Sequence, residues 1–317
     1  MVVRIAYLGP EGTFTEAALR QITAAGLVPE QGPGAVRQMP IESTPAALNA
    51  VRDGDADYAC VPIENSIDGS VIPTLDSLAI GSPLQVFAET TLDVAFSIVV
   101  KPGLGAADVR TLAAFPVAVA QVRQWLGAHL PGAELRPAYS NADAARQVAE
   151  GQADAAVTSP LAADHWGLAA LAEGVVDEPN ARTRFVLIGL PGPPPARTGA
   201  DRTSVVLRID NVPGALLSAL AEFGIRGIDL TRIESRPTRT ELGTYLFFAD
   251  CVGHIDDGAV AEALKALHRR CADVRYLGSW PTGSAAGVAP PPVDEASRWL
   301  ARLRDGKPAR GPGGLDS

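Results

Sequence analysis

Short apolar runs and amphipathic stretches alternate over the first 189 residues of the chain. The run from Ile5 to Leu8 is wholly apolar, which is typical of a buried strand. Residues 13–16, Thr-Phe-Thr-Glu, have the form of a capping box, in which a threonine and a glutamate three residues later open a helix. Repeated strand-helix order predicts an α/β domain with largely parallel sheets.

An internal repeat divides this block. Residues 43–57 align without gaps to residues 140–154, with an identical first serine, a late glycine and a final Ala-Asp. Each copy is predicted to be a helix followed by an apolar strand, although chance matching in an alanine-rich chain is an alternative. We therefore predict two similar lobes with a cleft between them. Ligands of open α/β sheets bind beyond the carboxyl ends of strands, which directs attention to residues 62–66 and 158–159.

Residues 203–280 have a different order. Strands and two helices are predicted here in the sequence β-α-β-β-α-β, the ferredoxin-like arrangement, with Pro213 at the start of the first helix. The segment has no obvious nucleophile and base, so binding is a better prediction for it than catalysis. Residues 190–202 are rich in proline and glycine and are predicted to be a linker.

The remaining residues, 281–317, are predicted to be a mostly disordered tail with one short helix. Ala296, Trp299, Leu300 and Leu303 have the spacing of one helical face. Glycine and proline are frequent after position 307. The predicted catalytic region, linker, binding domain and tail therefore span residues 3–189, 190–202, 203–280 and 281–317.

The overall composition excludes several classes of function. The chain has 317 residues, a formal net charge of −9 and a pI of about 5.0, which opposes a nucleic-acid-binding surface or a polybasic membrane anchor. No apolar run has membrane-spanning length and no signal-peptide pattern begins the chain, so we expect a cytoplasmic protein. Three cysteines without zinc-like spacing and four scattered histidines argue against a metal site or a histidine-based triad.

Three polar segments are candidates for chemistry. Residues 9–13 precede a helix whose N-terminus suits a carboxylate, although a plain turn explains the spacing equally well. Residues 64–70 place Glu64 and Asn65 directly after a buried strand, where an Asx-turn is the alternative. Gln121 lies on a predicted amphipathic helix, and periodicity alone favours a solvated side chain there.

A fourth candidate is a hydroxyl between two arginines, Arg182-Thr183-Arg184, at the entrance to the apolar run 185–188. In a regular strand Thr183 and Phe185 share one face and the arginines share the other. We therefore expect that neither arginine assists Thr183 directly and that at least one of them pairs with a carboxylate elsewhere.

Four motifs carry a family resemblance. Gly-Pro-Glu-Gly-Thr-Phe-Thr-Glu at 9–16, Val-Pro-Ile-Glu-Asn-Ser at 61–66, Thr-Arg-Phe at 183–185 and Glu-Ser-Arg-Pro at 234–237 occur in the order seen in prephenate dehydratases. The chain resembles this family over about residues 3–280. It is most similar to the monofunctional bacterial form, because no chorismate mutase region precedes the first motif.

The resemblance implies an activity, a fold and a regulator. The activity is the conversion of prephenate to phenylpyruvate, water and carbon dioxide in phenylalanine biosynthesis, without a cofactor. The implied fold is a two-lobed catalytic domain like the type II periplasmic binding proteins, followed by an ACT domain that binds phenylalanine as a feedback inhibitor. The resemblance also implies a homodimer or a homotetramer.

The resemblance assigns roles to individual residues. The predicted catalytic residues are Thr183, Asn65, Glu64 and Gln121. The predicted substrate-binding residues are Gly12, Thr13, Ser66, Ser159, Arg184 and Phe185. The predicted phenylalanine-binding residues are Asn211, Gly214, Ala215, Leu216, Leu217, Glu234, Ser235 and Arg236. This chain has Ala-Phe-Pro-Val at 114–117 where many relatives have Ser-His-Pro-Gln, so neither a serine nor a histidine is required there.

The implied reaction needs an oriented substrate and help for the leaving hydroxide. We hypothesise that Thr183 donates a hydrogen bond to the leaving oxygen and that the proton is relayed from water or from Glu64. Asn65 and Gln121 would hold the ring and the carboxylates. Two alternatives stay open, an arogenate dehydratase and a non-catalytic amino-acid sensor.

Overall fold

The computed structural model describes residues 2–29, 36–239, 243–283, 287–291 and 295–306. These residues divide into two units, one ending at Pro193 and the other beginning at Pro194. Each unit has its own sheets and its own hydrophobic core.

Unit 1 consists of two lobes. The first lobe begins with β1 (Arg4–Leu8), α1 (Phe14–Ala24), β2 (Arg37–Ile41), α2 (Thr44–Arg52), β3 (Tyr58–Asn65), β4 (Gly69–Ser70), α3 (Ile72–Ala79) and β5 (Gln85–Asp93). The second lobe comprises β6 (Phe96–Val100), β7 (Thr111–Ala114), α4 (Pro116–Gln121), α5 (Arg123–His129), β8 (Glu134–Pro137), α6 (Asn141–Ala149), β9 (Ala155–Thr158), α7 (Pro160–His165) and β10 (Ala169–Val175). The chain then returns to the first lobe as β11 (Arg182–Gly189).

Each main sheet of unit 1 is parallel on one side and antiparallel on the other. The first has the order β2-β1-β3-β11-β5, in which β11 is antiparallel to both of its neighbours. The second has the order β10-β6-β9-β7-β8, in which β6 is antiparallel to its neighbours. The prediction of two lobes is confirmed, whereas the prediction of largely parallel sheets is wrong. The chain crosses between lobes from β5 to β6 and from β10 to β11, and these crossings bring in the antiparallel strands.

The predicted repeat is present as structure. Helices α2 and α6 follow the N-cap residues Ser43 and Ser140, whose side chains each accept a hydrogen bond from the backbone N–H three residues later. Gly54 and Gly151 then adopt left-handed conformations, with φ of 78° and 76°. Glycine adopts this region without the steric cost of a Cβ atom, so both helices end in the same way.

The aspartate that ends each copy also has the same role in both lobes. Asp57 accepts a hydrogen bond from the backbone N–H of Arg4 at 2.7 Å, and Asp154 accepts one from the backbone N–H of Thr111 at 2.8 Å. Each aspartate thus ties β3 or β9 to the start of the neighbouring parallel strand. Hydrogen bonds from the Arg4 side chain and from the Thr111 hydroxyl are the largest causes that lower the pKa of Asp57 and of Asp154, respectively.

Replacing Asp154 by asparagine should lower the midpoint of thermal unfolding near neutral pH by about 2–4 °C, because the amide oxygen can still accept these hydrogen bonds but lacks the negative charge that strengthens them. The folded-state pKa of Asp154 lies below its unfolded value, so this stabilisation is present above about pH 4 and is lost as the pH falls through the folded pKa. Calorimetry at about pH 3 and about pH 7 should show the difference from the parent chain shrinking in acid. Asp164→Asn, at an exposed aspartate of the same lobe, is the control. A pH-independent difference would contradict the assignment.

Unit 2 contains a four-stranded antiparallel sheet. Its elements are β12 (Asp201–Arg208), α8 (Ala215–Gly224), β13 (Leu230–Pro237), β14 (Tyr245–Val252), α9 (Gly258–Arg270), β15 (Asp273–Pro281) and α10 (Glu295–Arg304). The strand order is β13-β14-β12-β15. The predicted β-α-β-β-α-β order is therefore confirmed, and α8 and α9 cover a core that includes Val205, Phe223 and Leu267.

Two local predictions about helices need correction. Helix α8 begins after Gly214, whose φ of 82° places a turn at Pro213-Gly214, so the proline precedes the helix and does not open it. The predicted helix around Gln121 is two short helices, because the backbone at Val122 (φ −129°, ψ 16°) leaves the helical region. The predicted tail helix is present as α10, and the predicted disorder of residues 307–317 lies outside the described residues.

Candidate active site

The pairing of β11 with β3 brings Thr183 and Asn65 together. The two residues are opposite each other in the antiparallel register, and Asn65 Nδ2 donates a hydrogen bond to Thr183 Oγ1 at 2.9 Å. Asn65 Oδ1 accepts hydrogen bonds from the backbone N–H groups of Ile67 and Asp68, at 2.8 and 3.0 Å. These two bonds fix the amide orientation, because only its oxygen can accept them. The Thr183 hydroxyl therefore acts as an acceptor toward Asn65 and keeps its own proton for another acceptor.

Ser66 fixes the segment that leads into β11. Its hydroxyl donates to the carbonyl oxygen of Asn180 at 3.0 Å and accepts from the backbone N–H of Arg182 at 2.8 Å. The backbone N–H of Ser66 also donates to the carbonyl oxygen of Arg182. These contacts hold the strand entrance beside Thr183. Direct binding of substrate by Ser66 stays a prediction.

The two flanking arginines each pair with carboxylates, as expected from the alternation along the strand. Arg182 Nε lies 2.7 Å from Asp93 Oδ1 in an exposed ion pair. The buried side chain of Arg184 contacts Glu64 at 2.9 Å and Glu89 at 3.3 Å. Its guanidinium thus already contacts two carboxylates of the chain, and substrate binding by Arg184 stays a prediction.

Phe185 was also predicted to contact substrate. Its side chain is 2% exposed and packs in the core of the first lobe with Ile5, Tyr7, Leu19 and Leu187. A side chain with so little accessible surface cannot form part of a ligand-binding wall. Phe185 is a core residue that anchors the start of β11.

Gly12 and Ser159 form a contact between the lobes. The Ser159 hydroxyl donates a hydrogen bond to the carbonyl oxygen of Gly12. Gly12 has a φ of 85°, and a Cβ atom placed there would lie 2.8 Å from the Cβ atom of Ala162. Gly12 is thus suited to close approach of the lobes, and a larger residue would separate them.

The N-terminus of α1 is already occupied by a carboxylate of the chain. Glu16 Oε2 accepts a hydrogen bond from the backbone N–H of Gly12 at 2.6 Å, and Thr13 Oγ1 accepts from the backbone N–H of Glu16 and donates to the carbonyl oxygen of Leu8. The predicted capping box is thus only partly right, because Glu16 reaches Gly12 and not Thr13. The backbone N–H of Gly12 is thus already paired within the chain, and substrate binding by Gly12 and Thr13 stays a prediction.

A cavity of about 690 Å³ lies between the lobes. It is lined by the loops that follow β1 and β2 in the first lobe and β7 and β8 in the second, including Thr13, Phe115 and Asn141. Thr183 and Asn65 do not line it. They lie at the same end of the strands of the first sheet as the cavity, and in the strand order β11 is two strands away from β1. The predicted site residues of the first lobe are therefore spread along this end of the sheet.

Gln121 ends α4 in the second lobe. Its side-chain Oε1 is buried and has no hydrogen-bond partner among the described residues. A buried amide oxygen without a partner costs free energy, so such a group is usually satisfied by water or by a ligand. The interpretation of a solvated glutamine is therefore wrong. No hydrogen bond joins Gln121 to Thr183 or to Asn65, and its catalytic role stays a prediction.

In unit 2 the structure brings together part of the predicted phenylalanine-binding set. Asn211, Ala215 and Leu216 line a cavity of about 80 Å³, and Gly214 and Ala215 line a neighbouring one of about 230 Å³. Leu217 is 74% exposed and lines neither cavity. The remaining residues line neither cavity and lie on the edge strand β13, where Ser235 is paired with Phe247 of the smaller cavity: Glu234, Ser235 and Arg236.

Comparison with family models decides the family. Residues 5–192 match the model described as prephenate dehydratase, and residues 203–269 match the model of the ACT domain. The chain belongs to the prephenate dehydratase family. Among the described residues, no group of three or more His, Cys, Asp or Glu side chains could hold a metal ion, and none of the described helices has the length and apolar character needed to cross a membrane.

Individual relatives agree with this assignment. The chain is 85% identical to a prephenate dehydratase of Mycobacterium tuberculosis (strain ATCC 25618 / H37Rv), over 97% of this chain and 96% of that protein. A crystal structure of a prephenate dehydratase from Arthrobacter aurescens in complex with L-Phe is 40% identical, with a TM-score of 0.84 over 96% of this chain and 98% of its own. A quorum-quenching acylase, GqqA, is 30% identical, with a TM-score of 0.75 over 88% and 98%.

Two polar residues near the site of this prephenate dehydratase family member were missed in the sequence. Glu89 contacts Arg184 from strand β5, and its signal in the sequence was a carboxylate directly after the apolar run 86–88. Asn141 lines the cavity between the lobes, and its Oδ1 is buried without a partner among the described residues. Its position in the first turn of α6 is typical of residues at a helix start, so no pattern in the sequence distinguished it.

Proposed function

We propose that this chain converts prephenate to phenylpyruvate, water and carbon dioxide as a step of phenylalanine biosynthesis. The observation that carries the proposal is the Asn65–Thr183 pair, which leaves a hydroxyl proton available at the edge of the first sheet. The identity of 85% to a prephenate dehydratase supports the same reaction. The acylase among the neighbours is far less similar, at 30% identity.

In the proposed reaction two bonds of prephenate break and the ring becomes aromatic. The electron pair of the bond between the ring and the departing carboxylate moves into the ring, carbon dioxide leaves, and the ring C–O bond breaks as the hydroxyl departs. Thr183 donates a hydrogen bond to that oxygen, and one proton is needed to make it water. Threonine is too weak an acid to supply this proton alone. We assign the supply to a water beside Glu64, or to Glu64 when its carboxyl group is protonated, since the Glu64 side chain is 39% exposed.

Asn65 has a different role in this proposal from the one expected at first. Its amide nitrogen is directed at Thr183 and its amide oxygen is held by two backbone N–H groups. Asn65 therefore orients the threonine hydroxyl and does not need to touch the substrate ring. Gln121, whose Oε1 has no partner among the described residues, remains a candidate for direct contact with substrate from the second lobe.

The experiment that tests the proposal is a side-by-side assay of the purified chain on prephenate and on arogenate. Phenylpyruvate from prephenate supports the proposed function. Phenylalanine from arogenate with little turnover of prephenate would favour the arogenate dehydratase, and binding of amino acids without turnover of either substrate would favour the sensor.

We further propose that residues 203–280 form a regulatory domain that binds phenylalanine, with residues 3–189 as the catalytic domain and 190–202 as the linker. The support is the ACT match and the complex of the Arthrobacter relative with L-Phe. We propose a cytoplasmic homodimer or homotetramer without a nucleic-acid or membrane partner. Analytical ultracentrifugation with and without phenylalanine measures the assembly.

Replacing Glu234 by alanine should raise the phenylalanine concentration for half-maximal inhibition at least about tenfold, because a hydrogen bond to a charged ligand contributes about 1.5–3 kcal/mol. Phenylalanine must bind one state better than the other to inhibit, so weaker binding also weakens inhibition. Inhibition curves on prephenate measure the change, with turnover in the absence of phenylalanine as the baseline. Glu262→Ala, at an exposed glutamate of the same unit, is the matched control. Unchanged inhibition of the Glu234 variant would remove this residue from the effector site.

A further inference from the structure

Glu89 is a buried carboxylate in the middle of a strand. It lies on β5 opposite Val186 of β11, and its side chain is 5% exposed. A buried ionised carboxylate is costly unless a positive charge and hydrogen bonds compensate it. Arg184 supplies both, since its Nη1 donates to Glu89 Oε2 at 3.3 Å.

The same arginine holds Glu64. Arg184 lies directly opposite Glu64 in the register of β11 and β3, and its Nε and Nη2 donate to Glu64 Oε2 at 3.1 and 2.9 Å. The guanidinium is planar and its donors diverge in fixed directions, so an anchor on Nη1 also sets the directions of Nε and Nη2. The position of the Glu64 carboxylate thus depends on Glu89 through one rigid group.

Glu64 differs from Glu89 in its access to solvent. Its side chain is 39% exposed, and among the described residues only one of its two oxygens, Oε2, takes part in these hydrogen bonds. Asn65, the next residue, holds Thr183. The arginine therefore fixes one oxygen of Glu64, and the partly exposed carboxylate lies next to Asn65 in the chain, at the end of β3.

We propose that Glu89 is a positioning residue for the dehydratase reaction, which acts through Arg184 to hold the Glu64 carboxylate in place. The proposal rests on the proposed function, in which Glu64 takes part in the proton supply. Glu89 itself touches neither substrate nor the reacting atoms. Its contribution is geometric, so a group that keeps the hydrogen-bond acceptor should preserve it and a group that shortens or removes the acceptor should not.

Three substitutions of Glu89 test the proposal. Glu89→Gln keeps an acceptor at the same distance from Arg184 and should retain kcat within about threefold, whereas Glu89→Ala and Glu89→Asp should lower kcat about ten- to a hundredfold with little change of KM. Glu89→Asp keeps the charge and shortens the side chain by one methylene, so it provides the answer if the alanine variant does not fold. Glu222→Asp, at a buried glutamate of unit 2 that also pairs with two arginines, is the matched control.

A double-mutant cycle separates positioning from stability. In a Glu64→Gln background the loss caused by Glu89→Asp should fall to about twofold or less, because residues that act through one another are not additive. A loss of the same size in both backgrounds, or full kcat in folded Glu89→Asp, overturns the proposal. The unaltered chain measured in parallel keeps the two claims apart, since failure of that chain to convert prephenate would reject the proposed function itself.

Discussion

Replacing Thr183 by valine should lower kcat on prephenate by about 10²–10⁴-fold, the range that general-acid assistance contributes. Valine has nearly the same shape, so the 9%-exposed site keeps its packing and loses the hydroxyl. The leaving oxygen then has no donor at this position. The Asn65 amide also loses its acceptor, which should cost about 1–3 kcal/mol of stability if no water replaces it. Steady-state kinetics on prephenate, with circular dichroism and thermal unfolding, measure both effects.

Thr183→Ser is the matched control for this prediction. Serine keeps the hydroxyl and the acceptor for Asn65 Nδ2 and loses only a methyl group, so we expect kcat within about tenfold of the parent chain. A folded Thr183→Val variant with near-normal turnover would exclude Thr183 from the mechanism. Equal losses in the serine and valine variants would show that packing, and not the hydroxyl, matters at this position.

The architecture could be predicted from the sequence because its determinants are local. Ser43 and Ser140 cap helices through contacts three residues away, and Gly54 and Gly151 end them through their own backbone conformation. The final aspartate of each repeat bonds to a strand that is distant in the sequence. It could still be recognised, because aspartate occurs at both equivalent positions of the repeat. Local capping and periodicity were therefore enough for two lobes and for the β-α-β-β-α-β unit.

The site could be predicted only in part. The alternation along a strand predicts which side chains share a face, but it does not predict which residues of other strands they contact. Alternation placed Thr183 and Phe185 on one face, yet Phe185 is covered by the core of the first lobe while Thr183 at the strand end is next to Asn65. The same pattern separated Arg184 from Thr183 correctly but could not supply Glu89, which is 95 residues away along the chain. Contacts across strands at such separations have no local signal.

Gln121 shows the opposite case. Periodicity placed it on a solvated helix face, but the helix breaks at Val122 and the side-chain oxygen is buried without a partner among the described residues. The break depends on the backbone at a single residue, which no spacing of apolar positions predicted. The role in the site that the family resemblance implies for Gln121 does not depend on helix geometry, and it stays a prediction.

Replacing Asn65 by aspartate should lower kcat on prephenate by about 10²–10³-fold, comparable to the loss of one donor from an oxyanion hole. One carboxylate oxygen can still accept from the backbone N–H groups of Ile67 and Asp68, so the turn is preserved. The other oxygen can only accept, and the Thr183 hydroxyl must then donate to it. The threonine proton is thereby turned away from the leaving oxygen, and a negative charge is added beside it.

A control variant and a double-mutant cycle test whether the loss of kcat comes from the Asn65–Thr183 hydrogen bond. Asn49→Asp, at an exposed asparagine of the same lobe, makes the same change of charge and should leave kcat unchanged. Because Asn65 acts through the threonine hydroxyl, Asn65→Asp should add little, about threefold or less, to the loss already present in Thr183→Val. Full additivity of the two losses would mean that Asn65 contacts the substrate independently, and near-parent activity of Asn65→Asp would mean that the direction of this hydrogen bond does not matter for the reaction.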